Sequence, residues 1–132
     1  MRLREIIHAH IPTLRPSSTF RDAVDKMDIY QFPALVITND DMEPLAVVTE
    51  GDLCRAAQSQ GGLMKLANES VMTFATPDPY MAHPETEISD ALLEMFRRSV
   101  TILPVVENQK LQGIVLRIDL MQAMLIDSSP SN

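Results

Sequence analysis

The chain repeats itself, and this limits its fold more than any single motif does. Pro16–Met27 reads PSSTFRDAVDKM, and Pro84–Met95 reads PETEISDALLEM. Laid over one another, Pro16 meets Pro84, Phe20 meets Ile88, Asp22 meets Asp90, Ala23 meets Ala91 and Met27 meets Met95, each pair 68 residues apart. Further on, Val47 meets Ile114, Val48 meets Val115, Asp52 meets Asp119 and Leu53 meets Leu120, at a separation of 67. The lost residue falls in a polar turn, NDDMEP in one copy and ENQK in the other, where a change of loop length costs little. One copy, at about 60 residues, buries too little surface to be securely stable alone. The two are expected to pack sheet against sheet about a pseudo-twofold axis, forming one core.

Each copy reads as β-α-β-β-α. Helices are predicted over about Thr19–Ile29 and Glu87–Arg98, with Phe20, Ala23, Val24 and Met27, and then Ile88, Ala91, Leu92 and Met95, at helical spacing. Strands ALVIT and ILPVV follow, then the polar turns, then strands LAVVT and LQGIVL. An Asp-Leu pair opens a closing helix, DLCRAAQ in one copy and DLMQAMLI in the other, and the extended pieces HIPTL and PYMAH stand before the copies. The predicted organisation is a first repeat with its lead-in over 1–62, a linker over 63–78, a second repeat over 79–126 and a frayed tail over 127–132.

Composition removes several classes of function. The net charge of −7 argues against nucleic acid as a partner, because an acidic surface repels phosphate backbones. The single cysteine, Cys54, excludes an internal disulfide framework and fits a reducing cytoplasm. The opening MRLREIIHAH has too short an apolar run for a signal peptide, and no stretch approaches the ~20 apolar residues of a membrane helix. There is no P-loop, no G-x-S-x-G and no zinc-spaced Cys/His cluster, so neither an enzyme nor a metal site is expected. His8, His10 and His83 read as surface histidines. Cys54 reads as a small packed hydrophobe.

The order of elements, with TEISDAL before a helix, ILPVVEN as a buried strand, VVTEGDL and IVLRIDL at the strand ends, and SVMT as a helical lead-in, resembles a tandem pair of CBS domains. The resemblance covers roughly Leu3 to Ile126. It implies an α+β fold, a CBS-domain pair of two β-α-β-β-α repeats about a pseudo-twofold axis. It also implies a regulatory module that takes adenosine-containing ligands such as AMP, ADP, ATP or S-adenosylmethionine, with no cofactor required.

In that family a Ser/Thr-x-x-Asp phrase ends the last strand, its Asp accepting from the ribose hydroxyls and its hydroxyl residue donating toward phosphate. Here the phrase is Thr49 to Asp52. Free N–H groups in a helix's first turn favour a phosphate nearby, and Gly51 allows close approach. The family pattern faces this site with Pro79, Tyr80 and Met81, and with Val100, Thr101 and Ile102, of which Tyr80 is best suited to stack on a base. A second, weaker site around Asp119 would draw on Ile11, Pro12 and Thr13, with Phe32, Pro33 and Ala34. There Leu116 stands in place of the hydroxyl, and Arg117 offers a cation instead. The two sites are expected to be unequal.

A simpler reading stands beside this one, since Asp at a strand-to-helix junction often only caps the helix, and Thr49 fits a strand by propensity alone. The leading expectation is a stand-alone sensor of an adenosine-type small molecule that regulates another protein. The alternative is an interaction or dimerisation module with vestigial clefts. The apolar character of LMQAMLI, with Met121 and Met124, points to a homodimer through the helices.

Overall fold

The structure, a computed structural model, describes residues 1–59 and 62–127. The predicted frayed tail lies outside the described residues from 128 on, while Asp127 still belongs to a helix. The fold is α+β and falls into two compact units. One is Pro12–Pro79, and the other combines Met1–Ile11 with the chain from Tyr80 onward.

The unit Pro12–Pro79 holds β1 (Thr13–Leu14), α1 (Phe20–Tyr30), β2 (Ala34–Thr38), β3 (Pro44–Thr49), α2 (Glu50–Ser59), the short α3 (Leu63–Leu66) and β4 (Thr76–Pro77). Its sheet runs β1-β2-β3-β4, with β1 parallel to β2 and the other pairs antiparallel. Every residue of β2 is buried, as a central strand's continuous apolar run requires. The other unit holds α4 (Ile88–Arg98), β5 (Ile102–Glu107), β6 (Lys110–Leu116) and α5 (Arg117–Asp127). Single bridges flank its hairpin, Ala82 parallel to Val105 on one side and His8 antiparallel to Ile114 on the other. The order of pairing is therefore the same in both units.

The two hairpins explain the one-residue slip. Asn108 and Gln109 join β5 to β6 with φ of 52° and 67°, the left-handed pair that a two-residue hairpin turn demands. The longer turn between β2 and β3 is organised by Asn39, whose Oδ1 accepts from the amides of Asp41 and Glu43, both at 2.9 Å.

Each unit has its own apolar core, and the two are built from equivalent positions. Phe20, Ala23, Met27, Leu35, Val48 and Leu53 of one answer Ile88, Ala91, Met95, Leu103, Val115 and Leu120 of the other. Val24, predicted on the buried stripe of its helix, is instead 42% exposed. The helix offers a narrower face to its sheet than four apolar positions would fill.

In space the lead-ins pack across the sequence boundaries of the copies. Residues 1–11 pack with the second copy, and 63–78, expected as a linker, completes the first. Leu3–Glu5 and Val71–Thr73 form matching 3-10 turns, with Leu3 and Val71 both fully buried in these exchanged positions. The Met1 carbonyl accepts the first amide of α4, from Ile88, as the Glu69 carbonyl accepts that of Phe20 in α1. Each lead-in thus satisfies a helix N–H that has no partner within its own helix. It also covers the outer edge of a sheet: His8 seats on Ile114, and Thr76 on Val47.

Gly113 is what lets the first lead-in come so close. A Cβ there would lie 2.5 Å from the His8 carbonyl oxygen, a backbone atom that cannot swing aside. Gly113→Ala should therefore destabilise the fold by about 1–3 kcal/mol, the usual cost of forcing extra volume into a packed contact. Denaturant unfolding measures it, and a variant as stable as the parent would mean that this seat is looser than described.

Candidate functional site

β3 ends at Thr49 and α2 begins at Glu50. The Glu50 amide donates to the Pro33 carbonyl at 2.9 Å, and Ala34 lies opposite Thr49 in the ladder, so the junction is fixed to the start of β2. Thr49 is the N-cap and Asp52 stands at the third helical position. The Thr49 amide donates to Asp52 Oδ2 at 2.9 Å, and the Asp52 amide donates to Thr49 Oγ1 at 3.1 Å. This is a reciprocal capping box. In the simpler reading of this junction as a helix cap, it is Thr49 that caps, while Asp52 closes the box from within the first turn.

Asp52 Oδ1 takes a further bond from Arg55 Nη2 at 2.5 Å. The carboxylate is 11% exposed while Arg55 is 73% exposed, so a surface cation covers a nearly buried anion. Gly51 leaves space for this pairing, since a Cβ there would stand 3.3 Å from Arg55 Nη1. A diol can take the place of such a cation through two charge-assisted hydrogen bonds.

The box geometry alone is not diagnostic. Thr19 and Asp22 form the same reciprocal pair at the start of α1, with bonds of 2.8 and 3.1 Å. Asp22, however, is exposed, and five residues separate β1 from α1 there, whereas β3 runs straight into α2. Asp22 is therefore a built-in control for capping without a ligand.

The second junction joins β6 to α5. The Leu116 amide donates to Asp119 Oδ2 at 2.9 Å, but Leu116 has no hydroxyl to accept the return bond. His8 Nε2 lies 2.9 Å from the same oxygen. The reading of His8 as a plain surface histidine is corrected by this contact. Only the register of the repeat could have signalled it, by placing His8 level with Thr76 on a sheet edge. Arg117, the predicted substitute cation, is the exposed first residue of α5.

The other nominated residues divide between the units. Pro12, Thr13, Phe32, Pro33, Ala34 and Pro79 lie in the unit of Thr49 and Asp52. Ile11, Tyr80, Met81, Val100, Thr101 and Ile102 lie in that of Arg117 and Asp119, with Ile102 opposite Leu116 in the ladder. Each carboxylate therefore has an apolar strand start beside it. The guanidinium of Arg98 lies 4.4 Å from the centroid of the Tyr80 ring and covers one of its faces. Burial raises the phenol's pKa, Glu94 and Asp90 push the same way, and Arg98 opposes them.

Two further features lie outside these boxes. Cys54, expected to be packed, is exposed. It lines a cavity of about 710 Å³ between α1 and α2, with Val24, Phe32 and Leu63 among its walls. No His/Cys/Asp/Glu group among the described residues could hold a metal ion, and no helix among them is long and apolar enough to cross a membrane.

Duplicate units of this topology, with a carboxylate at the same strand–helix junction in each, are the architecture of a tandem domain pair. The chain belongs to the CBS-domain family, whose model matches residues 3–59 and again 71–126. The fold is that of CBSX2 in complex with AMP, with a TM-score of 0.84 at 23% identity over 97% of this chain and 98% of that one. It is equally that of the CBS domain pair of MJ0100 in complex with 5-methylthioadenosine and S-adenosyl-L-methionine, with a TM-score of 0.85 at 15% identity over 97% and 98%. Arabinose 5-phosphate isomerase KdsD of Yersinia pestis is 28% identical over 128 residues, which are 96% of this chain and 38% of KdsD. The chain spans about two fifths of the length of the curated relatives it first matches, 42% of one and 38% of another.

Proposed function

We propose that this CBS pair senses an adenosine-containing ligand, such as AMP, ADP, ATP or S-adenosylmethionine, and passes its occupancy to a protein that it regulates. The observation that carries the reading is the Thr49–Asp52 box, with its nearly buried carboxylate under a displaceable arginine. In the ligand complex Asp52 accepts from the ribose hydroxyls. Thr49 Oγ1, which accepts from the Asp52 amide, keeps its own proton to donate toward phosphate. The complexes of CBSX2 with AMP and of MJ0100 with adenosine derivatives support the ligand class. The likeness to a segment of KdsD supports a regulated enzyme as the target, attached or separate.

Calorimetry with that ligand panel tests the proposal. Asp52→Ala should lower affinity on the order of tenfold or more, since hydrogen bonds to a charged group contribute roughly 1.5–3 kcal/mol each. Asp22→Ala should lower the melting temperature through loss of its cap and leave affinity unchanged. Equal affinity losses in both variants, or no binding by the parent protein, would sink the sensor reading.

A homodimer, whether or not ligand binds, is favoured by a separate observation. Phe96 on α4 and Ile118, Met121, Leu125 and Ile126 on α5 are large apolar residues exposed to solvent. Met124, nominated with Met121 from the sequence, packs against its own unit's core and is the wrong residue to alter. Replacing Met121 and Leu125 with Glu should shift the particle to monomer in light scattering with little loss of fold stability. A parent protein that stays monomeric at high concentration contradicts the dimer.

A further inference from the structure

Four of the differences between the two boxes act together. Thr49 becomes Leu116, Arg55 becomes Gln122, Ala46 becomes Gly113 and Thr76 becomes His8. The first two changes remove the hydroxyl and the cation that hold Asp52. The last two supply a substitute. Gly113 admits the lead-in backbone, and His8 is then anchored by two bonds to Ile114, amide to carbonyl at 3.0 Å and carbonyl to amide at 3.1 Å. A carboxylate held by one bond turns easily about its last torsion, whose minima are broad. Asp119 is held by two, from the Leu116 amide and His8 Nε2, and both fall on Oδ2.

We propose that His8 is the positioning residue of the second box: it fixes Asp119 Oδ2 so that Oδ1 is presented to a ribose hydroxyl of the ligand. The inference rests on the reading of Asp119 as a diol acceptor and deepens it. The first lead-in is thereby a working part of the second box, where the first box is held by residues of its own helix and strand.

The test uses adenosine as the probe and an Asp52→Ala background, so that binding reports on Asp119. In that background His8→Leu, which removes the donor, should weaken adenosine binding about tenfold, the loss expected for one hydrogen bond to a charged group. His8→Gln, which keeps an N–H, should recover most of the affinity. Once Asp119→Ala is also present, His8→Leu should have no further effect, and melting curves confirm that each variant is folded. If Asp119→Ala weakens binding but His8→Leu does not, or if His8→Leu tightens it, the positioning role is wrong and the diol reading survives. If the background protein does not bind adenosine, or Asp119→Ala changes nothing, both are wrong.

Discussion

Two backbone hydrogen bonds between His8 and Ile114 close the outer edge of the second sheet, and the pairing of Thr76 with Val47 does the same for the first. An open strand edge leaves amides and carbonyls without partners and invites pairing with other chains. Here each lead-in closes the edge of the copy to which it does not belong in sequence. The same segments bury Leu3 and Val71 in the two cores and satisfy the first amides of α4 and α1. Full burial of one such apolar side chain stabilises a fold by roughly 1.5–3 kcal/mol. The first unit, Pro12–Pro79, keeps these contacts as a contiguous stretch, whereas the second cannot, because Met1–Ile11 lies far in sequence from Tyr80 onward.

This exchange also sets the surroundings of the second box. Asp52 is held by groups on its own strand and helix, Thr49 and Arg55, so it depends on local structure alone. Asp119 is held by Leu116 and by His8, a residue more than a hundred positions earlier in the chain. The first carboxylate is covered by an exposed arginine, whereas the second is held by an imidazole seated on a sheet edge. Where Leu116 replaces the hydroxyl, the structure shows a change in how the carboxylate is held.

Much of the fold was legible because duplication gives each expectation an independent check. Phe20 with Ile88 and Met27 with Met95 report the same buried helix face twice, and ALVIT and ILPVV report the same buried strand. The destination of the lead-ins was not legible. An alignment of two copies is unchanged whether each lead-in packs on its own copy or on the other, because the same residue types suit both. Val24 and Cys54 were misplaced because helical spacing marks an apolar stripe without saying how wide a face the sheet can cover. Of the boxes, the Thr-x-x-Asp spacing was readable. Arg55 and His8 were not, since one is a flexible surface cation and the other arrives through tertiary structure.

Removal of Met1–Ile11 tests most directly whether the first lead-in is part of the second copy's fold. Amide hydrogen exchange, compared with the full chain, reads out each sheet separately. The expected result is loss of protection across β5, β6 and α4, with β2 and β3 retaining theirs to a much greater degree. Protection that falls first in β2 and β3, or that stays unchanged in β5 and β6, would show that the lead-in does not hold the second copy together.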